Sequence, residues 1–404
     1  MDAILLAIEA LLLVAAAILL VPLGVLTLQV FAALWPAGSS GRKDTTPISS
    51  TRPSIAILMP AHDEASGIAP VIAAVKARLS VQDRLLVVAD NCSDDTARVA
   101  ARAGAEVVER VDPVRRGKGY ALDFGVRHLS ARPPEIVVIV DADCIVEGDA
   151  LDRLAHQCAA TGLPAQALYL MHAPAGAGAR LHIAAFAWIV KNQVRAFGYR
   201  RLGLPCQLMG TGMAFPWSLI RAAPLASGHI VEDLQLGLDL AAAGTPPRFC
   251  PDALVTSMFP SRADGIESQR TRWERGHLSV IAQVGPRLFA KALAKGDGRL
   301  LAMALDLCVP PLATLVLALV ALLVASALFA MTGVSTPFFV ALAWVALLAL
   351  VVLSAWFGFG RGAVSLGEML LAPLYAARKV PMYFRMLRSR PLQWVRTRRD
   401  GGHG

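Results

Sequence analysis

The sequence predicts an α/β domain flanked by transmembrane helices, and three observations carry that prediction. Long apolar runs sit only at the two ends of the chain, a central block alternates short apolar runs with amphipathic segments, and acidic clusters follow several of those runs. Of 404 residues, 55% are hydrophobic and only 17% are charged, too apolar a composition for a soluble protein of this size.

Three runs pass the spanning test of about 20 residues with few or no charges: Ile4–Trp35, Leu312–Met331 and Phe338–Phe359. The first begins Met1-Asp2-Ala3, without the cationic segment of a signal peptide, and reads as an uncleaved anchor. Positive residues set the orientation. Arg42 and Lys43 follow the first run, Lys291, Lys295 and Arg299 precede the second, and Arg385, Arg388, Arg390, Arg396, Arg398 and Arg399 follow the third. The connector Thr332–Pro337 carries no charge. This pattern puts the N-terminus outside and both the central block and the C-terminus in the cytoplasm, in an inner or plasma membrane.

The stretch Ala363–Ala377, with Glu368 and Pro373, is too short to cross and is expected as an interfacial helix. The expected organisation is an anchor over 1–40, a cytoplasmic domain with interfacial helices over 41–285, and a C-terminal membrane region with a basic tail over 286–404. The formal charge of +9 belongs mostly to the flanks, where it fits anionic membrane lipids; no motif for nucleic acid accompanies it. Six cysteines (Cys92, Cys144, Cys158, Cys206, Cys250 and Cys308) lack metal spacing and read as reduced, mostly buried thiols.

In the central block, Ser54–Met59, Arg84–Ala89, Glu106–Arg110, Ile136–Val140 and Ala167–Met171 are the predicted strands of a parallel sheet. Ile68, Val71, Ile72, Val75 and Leu79 recur at helical spacing between the first two. Asp94 to Arg102 forms a short helix between the next two, capped by Ser93 or Asp94. Ligand groups in such sheets lie beyond the carboxyl ends of strands. There the sequence places His62-Asp63-Glu64, Asp90-Asn91 and Asp141-Ala142-Asp143.

Asp141 and Asp143, two apart in extended chain, project their carboxylates to one side. Hard oxygen ligands of this kind suit Mg²⁺ or Mn²⁺, with ligand phosphates completing the shell; a lone pair of this type is more often a turn, and the strand-end position favours the metal. Arg115-Arg116-Gly117-Lys118-Gly119 opens the amphipathic segment Tyr120–Leu129, where Lys118 and a helix N-terminus favour an anion such as a diphosphate. The stretch does not match the phosphate-loop pattern.

Ile230-Val231-Glu232-Asp233 starts a helix bearing Leu234, Leu236, Leu238 and Leu240. Its acidic pair either complements the macrodipole or, with Asp233 as general base, takes a proton from an acceptor hydroxyl. In Gln269-Arg270-Thr271-Arg272-Trp273, residues Gln269, Arg272 and Trp273 share a helical face. That face is either an interfacial anchor or a guanidinium for a departing diphosphate beside an indole for a sugar ring.

Taken in this order, the motifs resemble the family 2 glycosyltransferases, in particular the membrane-integrated branch with the cellulose, chitin and hyaluronan synthases, over about Ser54 to Gly276. The resemblance implies a GT-A fold, a nucleotide-diphosphate sugar donor, a divalent metal (Mg²⁺ or Mn²⁺) and inversion at the anomeric carbon. It implies that His62, Asp63 and Glu64 lie in a nucleotide-contacting loop and that Asp90 lies near base and ribose. Lys118 and Asp141 fall near the donor nucleotide and Asp143 on the metal. Asp233, with its neighbour Glu232, matches the catalytic base, and Gln269, Arg272 and Trp273 match the motif beside acceptor and diphosphate. Gly210-Thr211-Gly212 resembles a segment bordering the donor sugar, and its alternative is a simple turn.

Three spans are too few for the polymer channel of the longer synthases. The expected activity is therefore transfer to a lipid-linked or glycan acceptor in exopolysaccharide or glycolipid synthesis, with a processive β-glycan synthase and a non-catalytic membrane scaffold as alternatives. The stretch Leu181–Leu204 is either a surface bringing the acceptor to the bilayer or a core helix followed by a basic turn.

Overall fold

The computed structural model describes residues 3–36, 52–260 and 263–388. Arg42, Lys43, Arg390, Arg396, Arg398 and Arg399 therefore lie outside the described residues, as does the side chain of Gln269.

Helix α1 (Ala3–Leu34) comes first, followed by β1 (Ile55–Ala61), α2 (Ile68–Lys76), β2 (Arg84–Asp90), α3 (Thr96–Arg102) and β3 (Glu106–Arg110). Then come α4 (Lys118–Leu129), β4 (Ile136–Ile139), β5 (Ile145–Val146), α5 (Ala150–Thr161) and β6 (Ala165–His172). Helices α6 (Ala179–Ile189) and α7 (Arg195–Arg201) flank a π-helical turn, Val190–Val194. They lead to β7 (Met213–Pro216), α8 (Trp217–Ala222), α9 (Glu232–Ala242), β8 (Arg248–Met258) and α10 (Ala263–Gln283). The remainder is helical: α11 (Gly285–Lys295), α12 (Gly298–Leu307), α13 (Leu312–Ala330), α14 (Thr336–Ala355), α15 (Leu366–Met369), α16 (Ala372–Ala377) and α17 (Val380–Arg388).

The chain divides into two compact units, one drawing on 36–175 and 204–276, the other on 1–35, 176–203 and 277–391. The first is built on an eight-stranded sheet of order β3-β2-β1-β4-β7-β6-β8-β5. Strands β1, β2 and β4 read as unbroken apolar runs because both faces are covered; Ile57, Leu58, Leu86, Val87, Val137 and Val138 are fully buried. Strands β3, β2, β1 and β4 run parallel, with Leu58 opposite Leu86 and Ile57 opposite Val138.

The expectation of a wholly parallel sheet is corrected beyond β4. Strand β7 pairs antiparallel with both β4 and β6, while β6 pairs parallel with β8. Four residues of β7 carry too little periodicity to announce a strand, so its place between β4 and β6 is absent from the sequence pattern. Helix α3 is also corrected at its start, where Asp95 occupies the cap position. Asp94 instead accepts hydrogen bonds from the Thr96 and Ala65 amides (2.9 and 3.1 Å), tying the helix start to the loop after β1.

In the second unit, α1, α13 and the segment Thr336–Gly360 are long and apolar enough to cross a membrane. Its core joins Leu23, Leu26 and Val30 of α1 to Ile183 and Phe186 of α6, Leu315 and Leu319 of α13, and Val351 of α14. The Leu181–Leu204 stretch thus supplies core residues to this unit. The single interfacial helix expected over 363–377 is two pieces, α15 and α16. Ser365 and Glu368 form a capping box that starts α15, and Pro373, which has no N–H to donate, sits in the first turn of α16.

Candidate active site

The carboxyl ends of β1, β2 and β4 hold two groups of polar residues. In the first, the His62 Nδ1 lies 2.7 Å from the Asp90 carbonyl oxygen, and the Asp63 carboxylate accepts from the Ser93 amide (2.5 Å) and hydroxyl. The Glu64 amide donates to the Thr96 hydroxyl oxygen at 2.7 Å. Asp90 is buried against Arg110, whose Nη1 donates to Oδ1 at 2.6 Å, and Asn91 Nδ2 donates to the same oxygen at 3.0 Å. Arg110 in turn binds the Arg115 carbonyl oxygen at 2.7 Å, fixing the loop that leads into α4.

The second group forms around Lys118, the first residue of α4. Its Nζ lies 2.5 Å from Asp141 Oδ1 and donates to the Gly210 carbonyl oxygen at 2.8 Å. A Cβ placed on Gly210 would stand 3.4 Å from Asp233 Oδ2, so the Asp233 carboxylate borders the same segment. The segment is braced from below. The buried Gln166 donates to the Thr211 carbonyl oxygen (2.9 Å) and accepts from the Met209 amide (2.8 Å), and the Thr211 hydroxyl oxygen accepts from the Asp141 amide at 3.1 Å. Gly212 has φ +64° and faces Ala167 and Val255, where a side chain would collide.

Asp141 and Asp143 are corrected in their geometry. They lie past the end of β4, and the Cys144 amide closes a turn onto the Asp141 carbonyl oxygen at 3.1 Å. The turn, rather than extended chain, is what gathers ligand atoms of Asp141, Asp143 and Cys144 within 4.8 Å of one another. Burial, then Asp143 and Asp141, push the Cys144 thiol well above its ordinary value, so the available donors are carboxylate oxygens. Such a donor set fits Mg²⁺ or Mn²⁺ rather than a soft cation.

Glu232 and Asp233 open α9, as expected. Desolvation first, and the Asp233 charge second, push the Glu232 carboxyl up to about 7, against a lowering by Lys118. For Lys118, burial favours the neutral amine, but Asp141, Glu232 and Asp233 together raise its proton affinity and keep it charged. A cavity of about 230 Å³ adjoins the pair, lined by Gly119 and Leu122 of α4, Leu225 and Ser227 of the preceding loop, and Glu232, Asp233, Gln235 and Asp239 of α9.

Arg272 and Trp273 lie on α10 and are half-buried. Gly276, one turn after Arg272 on the same face, packs on Val231, the residue before Glu232; a Cβ there would be 2.8 Å from Val231 Cγ1. Arg110, Gln166, Ser227, Gln235 and Asp239 belong to none of the sequence motifs. Only Gln166 left a signal, a lone amide inside the apolar run of β6.

The profile of the glycosyltransferase-like family 2 matches residues 53–276, more than half of the chain. The chain belongs to this family. An uncharacterized glycosyltransferase of Mycobacterium tuberculosis is 41% identical over 101 residues, which is 25% of this chain and 42% of that protein. A glucosyl-3-phosphoglycerate synthase of Mycolicibacterium paratuberculosis is 39% identical over 98 residues, 23% of this chain and 29% of that protein. The match therefore spans less than half the length of either relative.

Among solved structures, the mannosyltransferase PcManGT of Pyrobaculum calidifontis, in complex with GDP-Man and Mn²⁺, superposes with a TM-score of 0.57. It is 20% identical and covers 91% of this chain and 98% of that one, a likeness of fold: the GT-A type with a mixed sheet.

Proposed function

We propose that the chain is an inverting, metal-dependent hexosyltransferase that moves a sugar from a nucleotide-diphosphate donor to a lipid-linked or glycan acceptor, in exopolysaccharide or glycolipid synthesis. The observation that carries this reading is the Lys118 bridge. Its ammonium joins the Asp141 carboxylate to the Gly210 carbonyl, and the Asp233 carboxylate borders Gly210 as well. A donor-phosphate group and a base thus share one small region.

In this reading His62, Asp63, Glu64 and Asp90 border the nucleotide, and Lys118, Asp141 and Gly212 border the diphosphate and donor sugar. Asp141 and Asp143 would hold the divalent ion, which when bound polarises the diphosphate oxygens and offsets charge on the leaving group. Asp233 accepts the proton of the acceptor hydroxyl as its oxygen bonds to the anomeric carbon, and the bond to the diphosphate breaks with its electron pair on the nucleotide. A single displacement inverts the configuration. Arg272 adds a guanidinium to the departing diphosphate and Trp273 a plate for a sugar ring.

The three apolar helices hold the enzyme in an inner or plasma membrane, with the N-terminus outside and the transferase domain among the cytoplasmic nucleotide sugars. The decisive experiment is a donor screen on the full chain in detergent with Mn²⁺ or Mg²⁺, reading nucleotide release and a glycosylated product. Asp233→Asn should lower kcat by about 10²–10⁴-fold while donor binding persists. Full activity in that variant removes Asp233 from the base role.

A further inference from the structure

We infer that the cavity between α4, the loop before α9 and α9 is the acceptor subsite, and that it admits an uncharged polyol or carbohydrate ring and excludes acceptors bearing phosphate. The inference rests on the transferase reading above and adds the chemistry of the acceptor to it.

Position comes first. The cavity is bordered by Asp233, the carboxylate assigned to take the acceptor proton, on the same element as Gln235 and Asp239. A hydroxyl presented from within it meets that carboxylate directly, and Lys118, which donates to the Gly210 carbonyl oxygen, is the residue before Gly119 of the lining.

Charge decides the class. Among the described residues, the polar side chains lining the cavity are those of Ser227, His229, Glu232, Asp233, Gln235 and Asp239, with no lysine or arginine. Nearby Lys118 already faces Asp141 and the Gly210 carbonyl. Among the described residues, a phosphate entering here meets the carboxylates of Asp233 and Asp239, the Glu232 carboxyl and no cationic fork, whereas sites for phosphate are built from arginine, lysine or clustered N–H donors. A polyol is the complementary ligand, because each hydroxyl donates to a carboxylate and accepts from the Gln235 amide or the Ser227 hydroxyl.

The arrangement is held in place. Gln235 Nε2 donates to Asp239 Oδ1 at 2.9 Å, one turn along α9. At Gly119 a Cβ would stand 2.5 Å from the Leu225 carbonyl oxygen and 2.7 Å from that of Ser227, so the loop closes directly on the start of α4. At about 230 Å³ the space is smaller than the roughly 300–1,000 Å³ of pockets for drug-sized ligands, which matches one ring or a short polyol.

The transfer itself balances as above: the acceptor O–H gives its proton to Asp233, its oxygen bonds to the anomeric carbon, and the nucleoside diphosphate leaves with the electron pair of the broken bond.

The test uses the full chain in detergent with Mn²⁺ and either GDP-mannose or UDP-glucose. Glycerol and methyl hexopyranosides are compared with glycerol 3-phosphate, 3-phosphoglycerate and a polyprenyl phosphate. The expected result is transfer to the neutral set, with kcat/KM at least about tenfold above the phosphorylated counterpart. Asp239→Asn should raise KM for the neutral acceptor about tenfold or more, the loss of a charge-assisted hydrogen bond, with kcat within about twofold. Ser227→Ala, a change confined to the loop, should act in the same direction.

Equal or better use of a phosphorylated acceptor overturns the inference. So does donor hydrolysis without transfer to either set, which leaves the donor site standing. Failure to bind any nucleotide sugar overturns the transferase reading and this inference with it.

Discussion

Replacing Asp306 by alanine removes one carboxylate from a contact set buried in the helical unit. Asp306 Oδ1 accepts from Gln29 Nε2 at 2.6 Å and from Arg195 Nη2 at 2.7 Å, and the same Nη2 also reaches the Asp306 carbonyl oxygen at 2.7 Å. Arg195 Nε donates to Gln29 Oε1 at 3.1 Å. The Arg195 and Asp306 side chains are 7% and 8% exposed, so water cannot stand in for a missing partner. The alanine variant leaves Arg195 two neutral oxygens and no counter-charge.

Breaking a buried pair in this way costs about 3–5 kcal/mol, because the stranded guanidinium keeps its desolvation penalty. Removing both charges is a different matter: Arg195→Met with Asp306→Leu replaces the pair by apolar volume and should cost clearly less than the single variant. The assay is reversible denaturation of the full chain in detergent, comparing wild type, both single variants and the double. A loss below about 1 kcal/mol for Asp306→Ala, or a double variant as damaged as the sum of the singles, refutes the view that these charges are mutually dependent.

Other outcomes follow from the sheet unit. Glu232, raised to about 7, is protonated below that pH and gains a negative charge above it, so KM for the diphosphate donor should rise as pH climbs through about 7, and Glu232→Gln should flatten the profile. The same shift lowers folded-state stability as pH rises from 4.5 towards about 7, since the folded state binds the proton more tightly than the unfolded state; thermal unfolding across that window checks the sign. Gly119→Ala drives a methyl into two backbone oxygens and should cost about 1–3 kcal/mol in thermal unfolding, with acceptor KM raised. Asp143→Asn should raise the Mn²⁺ concentration for half-maximal activity by about tenfold or more, read by metal titration at saturating donor.

Strands β1, β2 and β4 were legible because a strand buried on both faces must be apolar throughout, and short lengths bounded by polar loops separate them from helices. Strand β7 was not: Met213–Pro216 is short and becomes a strand through its pairing with β4 and β6, a tertiary fact. Asp141 and Asp143 could be chosen from residue type and position after β4, but the turn that gathers them is closed by a Cys144 backbone bond that no side-chain pattern encodes. Lys118 announced an anion site, whereas its tie to Gly210 across 92 positions of chain did not. Asp239 and Gln235 look like ordinary solvated helix residues in the sequence, and only the fold brings them to one cavity with Leu225 and Ser227.

The balance of charge around Lys118 explains why these pieces belong together. One ammonium faces Asp141 directly and feels Glu232 and Asp233, while Asp143 stands beside Asp141. A single lysine does not offset that many carboxylates, and burial first, with the Asp233 charge second, raises Glu232 to about 7. A diphosphate arriving alone would add to the imbalance; a divalent cation arriving with it at the aspartate turn would correct it. The acidic surplus on the α9 side has no such partner in the donor, so it is left to be met by hydroxyl protons. In the proposed reading, the same electrostatics that would favour a cation at the aspartate turn would favour a neutral, hydrogen-bond-donating acceptor beside Asp233.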